Sequence, residues 1–316
     1  METGHSLHKY SFALHCREKV KRLLTKCLLL KGLLGKGPLH NMRINWLFFL
    51  CVFFACALHG SWAQRDNSRI IRIKGSDTMR ILVDRLAEEY MKRVPGIAIF
   101  VEGGGTALGI RDLTRNRIDI CTASRTIRAE EVRLLAENFN RIGMKIRVAK
   151  DALSVYLNPQ NPLRDLSMQQ LSDIFTGKIK NWKAVGGHDA PIHLFIRSPN
   201  SGTFLFFKEH VLGGKDYSQD AKTKATTMAI INAVSEDVNG IGYGGLAYGA
   251  EVIHSKINQL APSEQNVKNN RYPIIRYLYF YTIDTPQGYV KAFIDWVLRD
   301  GQQLVREVGY IPLWSQ

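Results

Sequence analysis

Beyond residue 63 the chain has a single cysteine. Of its five, Cys16, Cys27, Cys51 and Cys56 fall in the first 63 residues, and Cys121 stands alone in the apolar stretch IDICTAS. One thiol closes no internal disulfide, so the fold that follows depends on a hydrophobic core. With no histidine near it in sequence, Cys121 suits a small buried hydrophobe better than a catalytic thiol. Metal-ligand spacing is missing as well: His188, His193, His210 and His254 form no ligand pattern with one another or with a cysteine. There is no G-x-S-x-G elbow, because Ser201 follows Pro199 and Asn200. No two carboxylates stand out as an acid/base couple. In EGGGTALGI (102–110), Leu108 breaks the dinucleotide glycine pattern, and no GK[ST] follows to make a phosphate-cradling loop. Repeats and low-complexity tracts are absent too, which excludes solenoids and propellers. These absences leave a binder rather than an enzyme, with no cofactor.

What is present is an ordinary globular composition, 45% hydrophobic and 22% charged, over 316 residues. The net charge is +15, but residues 1–63 carry nine Lys or Arg against Glu2 and Glu18, so the remainder holds only +8. After residue 63 no basic block is interleaved with aromatics, so nucleic acid is not expected as a partner. A moderate positive charge suits a small anion. The segment 42–63 has a short basic start, an apolar run from Trp46 to Leu58, and Ser61-Trp62-Ala63 ahead of Gln64. This has the form of a secretory signal peptide cut after Ala63. The expectation is an exported, periplasmic protein, preceded by an extension (1–41) for which Met42 offers an alternative start. A lipid anchor at Cys56 is a weaker reading, since Phe53-Phe54-Ala55 matches a lipobox poorly.

The rest alternates strands and helices. Strands are expected at 69–75, 96–102, 118–124, 145–159, 192–198, 240–245 and 272–282. Helices are expected at 77–93, 106–116, 128–139, 167–175, 201–211, 222–235, 286–299 and 302–308. Such alternation predicts α/β layers with largely parallel sheets, and the long apolar run 145–159 is where the chain crosses between domains. Ligands of open α/β sheets gather at the carboxyl ends of strands, where helix amino termini converge. Three strand-to-helix turns carry glycine and hydroxyls: KGSDTM (74–79), GGGT (103–106) and RSPNSGT (197–203). Helix starts expose unpaired N–H groups and partial positive charge, and Arg197 adds a planar fork of donors. Taken alone, RSPNSGT reads as an ordinary N-cap with a solvated arginine; together, the three turns make a metal-free anion site. Ser124 and Arg125 close the strand at 118–124 and join the candidates.

The order GSDT, GGGT, DICTASR, NPQNPLRDLSMQQLSDIFTGKIKNWKAVGG and RSPNSGT resembles the phosphate-binding proteins of ABC-type phosphate uptake systems, in the periplasmic-binding-protein superfamily. The similarity runs over roughly residues 69–310. It implies a two-lobed type II fold with two open mixed sheets flanked by helices and joined by two crossing strands. Lobe I would hold 64–152 with 247–316, and lobe II would hold 153–246. It also implies inorganic phosphate in the cleft, hinge closure, and delivery to membrane permease subunits by a monomer.

Carried over position by position, the ligand would meet Thr78, the Met79 backbone, Thr106, Arg197, Ser201, Gly202 and Thr203, and the reading of the turns themselves adds Ser76, Ser124 and Arg125 to the candidates. Two departures stand out. Where well-known members have an aspartate that accepts the phosphate proton, this chain has Arg125. An acidic position that pairs with the binding arginine is Pro199. With two arginines the site is expected to favour the more highly charged anion, which leaves sulfate or molybdate as rival ligands. A secreted phosphate sensor or surface-interaction protein is the rival of another class. Asp77, beside Thr78, is the candidate proton acceptor.

Overall fold

The computed structural model describes residues 69–314; the expected signal segment, the extension before it and Cys56 lie outside the described residues. Strand β1 (Ile70–Gly75) buries Ile71 and Ile73 and exposes Arg72, the period-2 pattern of a half-covered strand. A 3₁₀ turn (Asp77–Met79) leads into α1 (Arg80–Arg93), whose Leu82, Val83, Leu86, Ala87 and Tyr90 form one buried stripe. Next come β2 (Ala98–Glu102), α2 (Thr106–Leu113), β3 (Ile120–Ala123) and α3 (Ala129–Phe139). Strand β4 (Met144–Leu157) is 14 residues long, and β5 (Asp165–Leu166) and α4 (Met168–Phe175) follow it. Helix α4 opens with a capping box between Ser167 and Gln170. The order then runs β6 (His193–Arg197), α5 (Gly202–His210), β7 (Lys222–Lys224), α6 (Thr227–Ser235), β8 (Gly240–Gly245) and β9 (Ile253–Ile257). It closes with α7 (Glu264–Lys268), β10 (Ile275–Thr282), α8 (Gly288–Leu298) and α9 (Gly301–Glu307).

The strands follow one path, β2-β1-β3-β10-β4-β8-β6-β7, with β9 beside β4 and β5 beside β9. It is a mixed path rather than the largely parallel one expected. The β1 pairings with β2 and β3 are parallel, as are those of β6 with β7 and β8. Both neighbours of β10 run antiparallel to it. Strand β4 belongs to two sheets: Met144–Ala152 pairs with β10, and Leu153–Leu157 pairs with β8 and β9. The change of partner falls at Ala152/Leu153, inside the run expected to cross between domains.

One buried cluster packs Ile71, Leu82, Leu86, Ile99, Phe280 and Phe293, and a second packs Leu157, Leu171, Phe175, Trp182, Phe207 and Tyr243. The segment 253–274 packs with the second of these. There β9 pairs with β5 and the far half of β4, and Val267, Tyr272 and Ile274 join that core. Another difference lies at 222–235, read as a single helix. Lys222–Lys224 instead pairs with Phe195–Arg197 as an edge strand, and Thr226 caps the helix that follows. A short strand next to a helix start has no period of its own for a sequence to display.

Candidate anion-binding site

The turns after β1, β2 and β6 meet at the carboxyl ends of their strands. Arg197, the last residue of β6, is 1% exposed. Its Nη1 donates to Thr227 Oγ1 at 3.0 Å, and its Nη2 to the Ala225 carbonyl at 3.0 Å and to Asp77 Oδ2 at 2.7 Å. Nε is buried with no partner. Burial lowers the pKa of the guanidinium and the carboxylate of Asp77 opposes the change. Behind it Tyr243 stacks on Phe207 at 4.1 Å and exchanges a 2.8 Å hydrogen bond with Tyr217, whose hydroxyl donates to the Phe204 carbonyl. That aromatic wall fixes the β6–α5 turn.

Ser201 is the N-cap of α5, its hydroxyl accepting from the N–H groups of Thr203 and Phe204. The cap of the isolated reading is therefore real, while the arginine beside it is buried instead of solvated. Gly202 has no room for a side chain, for a Cβ there would lie 2.5 Å from Thr106 Oγ1 and 2.6 Å from Ser124 Oγ. Gly105, at φ 99°, brings the second turn equally close, and Ala107 N–H donates to the Asn200 carbonyl at 3.1 Å. Thr78 and Thr203 share a 2.8 Å hydrogen bond between hydroxyls, both fully buried. The Thr106 hydroxyl accepts from Ser124 N–H at 3.2 Å. The first turn is held by two tyrosines: Tyr248 donates to the Asp77 carbonyl at 2.8 Å and Tyr310 to the Thr78 carbonyl.

Thr78, Thr106, Ser124, Arg197, Gly202 and Thr203 are thus one neighbourhood. Ser76 is buried and starts the 3₁₀ turn without a side-chain capping bond. Two candidates are engaged otherwise. The N–H of Met79 already donates to the Ser76 carbonyl at 3.0 Å. Arg125 makes a two-pronged pair with Glu131, Nη2 to Oε1 at 2.7 Å and Nη1 to Oε2 at 2.8 Å. Its charge is compensated there, and none of its bonds goes to the hydroxyls of the site. Asp77 takes the place left vacant by Pro199, supplying the carboxylate that pairs with Arg197, and its other oxygen accepts Gly104 N–H at 2.9 Å.

A second buried pair was missed. Arg276 and Asp151 face each other across β10 and β4, both side chains 1% exposed. Nε and Nη2 of Arg276 donate to Asp151 Oδ2 at 2.9 and 2.7 Å, and Nη1 donates to Thr203 Oγ1 at 2.9 Å. Burial pushes the Asp151 carboxyl up, and Arg276 opposes it. The one signal in the sequence was a charge of each sign inside two apolar strand runs, in VAKDALSVYL and IIRYLYFY. Three buried arginines therefore each have a carboxylate, and the formal charge of the cluster is zero. The expectation that two arginines would favour the most highly charged anion does not survive this balance.

With this geometry in hand, the comparisons are specific. Residues 62–301 match the family model described as a PBP superfamily domain. The phosphate-binding protein PstS of Pseudomonas aeruginosa is 31% identical over 265 residues, 76% of this chain and 81% of that protein. PstS of Bacillus subtilis is 30% identical over 258 residues, 79% and 83% of the two chains. Among solved structures, a protein assigned as a phosphate ABC transporter substrate-binding protein from Clostridium perfringens, with bound phosphate, gives a TM-score of 0.73. It is 27% identical, with 78% of this chain and 100% of that one covered. An ABC-type phosphate transport receptor from Vibrio cholerae gives 0.64 at 27% identity, covering 76% and 99%.

Proposed function

The chain belongs to the PBP superfamily and, within it, to the phosphate-binding proteins exemplified by PstS, and on that premise we propose that it is a receptor that captures inorganic phosphate and delivers it to an ABC-type membrane permease. The observation that carries this reading is the buried convergence of Arg197, Thr78, Thr106 and Thr203 at three strand ends. Uncharged hydroxyls and a compensated guanidinium can replace the water shell of an anion without leaving a large unbalanced charge inside the protein. Charge-assisted hydrogen bonds contribute about 1.5–3 kcal/mol each, and several together support roughly micromolar binding after ordering costs.

The ligand set we propose is Thr78, Thr106, Ser124, Arg197, Gly202 and Thr203, with Ser201 shaping the turn as its cap and Ser76 at its edge. The work is binding and release, with no covalent step. The lobes we propose differ from the expected ones at one boundary. Residues 153–274 form one lobe and the remainder the other, because 253–274 packs on the second core. They close about the partner change at Ala152/Leu153. The signal-like segment 42–63 supports export, which puts the receptor on the side of the membrane from which phosphate enters.

The test is isothermal titration of ligand-stripped protein with phosphate and then with sulfate at neutral pH. One-to-one phosphate binding that excess sulfate does not displace is expected. Absence of phosphate binding by folded protein would overturn the reading.

A further inference from the structure

Helix α3 is thinly covered for its length. A surface helix normally buries a stripe of apolar residues, yet of the 11 residues of α3 only Leu135 is buried. Leu134 beside it is 42% exposed. Ile142, in the turn that follows, is 73% exposed, more than any other large hydrophobic among the described residues. Nine such side chains are exposed there, and Leu134, Ile142 and Met144 fall together within 134–144. Scattered singly they would need no explanation; gathered, they mark a contact surface.

The sheet next to α3 adds charge. Along β10, Leu278 and Phe280 enter the core shared with α1 and α8, while Tyr277, Tyr279 and Tyr281 line the opposite face. Three cations of β4 lie over those rings. Arg147 is 4.4 Å and Lys150 5.5 Å from the centre of Tyr277, and Lys145 is 5.9 Å from that of Tyr279. Among the described residues none of the three is paired with a carboxylate. The carboxylates of α3, Glu130, Glu131 and Glu137, and Asp284 after β10 are each taken by an arginine instead. Three positive charges are left uncompensated on this face, with amphipathic tyrosines beneath them and exposed aliphatic side chains at the border.

We propose that the α3–β4–β10 face docks on an anionic phospholipid surface and holds the exported receptor against the membrane. Lipid phosphates answer the three cations, and the boundary between headgroups and acyl chains takes Ile142 and Leu134. Tyrosine, apolar in its body and polar at its tip, suits the same depth. An acidic protein segment would answer the charges alone, whereas a bilayer supplies both the charges and the apolar layer under them. The docking face is separate from the anion site. Arg276 reaches Asp151 and Thr203 within the cluster, and Tyr277 beside it stands on the opposite face of the sheet. One flank of the receptor thus lies on the bilayer while the site residues stay clear of it, whichever anion they hold.

Co-sedimentation with vesicles tests it. Residues 67–316 form a compact unit of their own, so the protein for the test starts at residue 64, without the apolar run 46–58 that would itself enter a bilayer. Wild-type protein should bind vesicles of phosphatidylcholine with phosphatidylglycerol at least about tenfold more tightly than vesicles of phosphatidylcholine alone. Salt at about 0.5 M should release it. The triple variant Lys145→Gln, Arg147→Gln, Lys150→Gln should lose about 100-fold in vesicle affinity, and Ile142→Ser about tenfold. Both variants should melt within about 4 °C of the wild type, since all four side chains lie at the surface. Wild-type protein that stays in the supernatant with both kinds of vesicle would overturn the proposal. Undiminished vesicle binding by the folded triple variant would do the same. Capture by poly-glutamate as tight as by the anionic vesicles, and lost in the triple variant, would overturn the lipid assignment and give the face to an acidic protein segment.

Discussion

Asp77 Oδ2 lies 2.7 Å from Arg197 Nη2, across 120 residues of sequence. The pair joins the turn after β1 to the end of β6, so the cation of the proposed ligand set is aimed by a carboxylate on a different element. Arg197→Ala removes that cation and leaves Asp77 facing an anion. Phosphate affinity should fall at least about 100-fold, since truncating one member of a buried charge pair costs about 2–5 kcal/mol. Thr106→Ala, which removes one neutral hydroxyl, should cost about tenfold or less. Titration calorimetry on the two variants checks the order, and equal losses would place the site elsewhere.

Gly202 tests the close approach of the turns. A methyl group there would press on the Thr106 and Ser124 hydroxyls at 2.5 and 2.6 Å, both part of the proposed ligand set. As the first residue of α5 it has no helical need to be glycine. Gly202→Ala should lower phosphate affinity by at least about tenfold while shifting the melting temperature by no more than about 5 °C. A variant that binds normally would show that the turns have slack.

His254 makes stability pH-dependent. Burial lowers its pKa below the ordinary 6.5, with the Gly249 and Tyr248 backbone opposing, and its ring shares a 2.9 Å hydrogen bond with Ser154 Oγ. A depressed native pKa means that the unfolded chain takes up the proton first as the pH drops. Its contribution is complete above pH 6.5 and is lost as the pH falls through the native value. Melting curves between pH 7.5 and 5 should therefore fall less steeply for His254→Gln than for the wild type. Parallel curves would mean that other groups set the acid limb.

Cys121 should behave as core. It is fully buried, burial pushes its thiol pKa well up, and its Sγ donates to the Thr122 carbonyl at 3.6 Å. A thiol-reactive chromogen at pH 8 should leave it untouched in folded protein and label it fully in denaturant. Rapid labelling of the folded state would reveal an opening at β3.

The sequence by itself determined the alternation of strands and helices and the three hydroxyl-bearing turns, and it singled out Arg197 as a candidate. These are local properties: apolar periodicity, glycine where backbone must come close, and Ser or Thr at a helix start. Local reading failed where a neighbour decided the outcome. The helix read over 222–235 begins with an edge strand because β6 lies alongside it. Segment 253–274 joins the second core through pairings with β4 and β5, which no stretch of sequence displays. In the site, tertiary structure alone could show that Arg125 is neutralised by Glu131, that Asp77 orients Arg197, and that Asp151 and Arg276 share a buried cell beside Thr203. A charge announces its presence in a sequence, but its partner is chosen by folding. The energy of a buried ion depends on which opposite charge lies within about 4 Å of it.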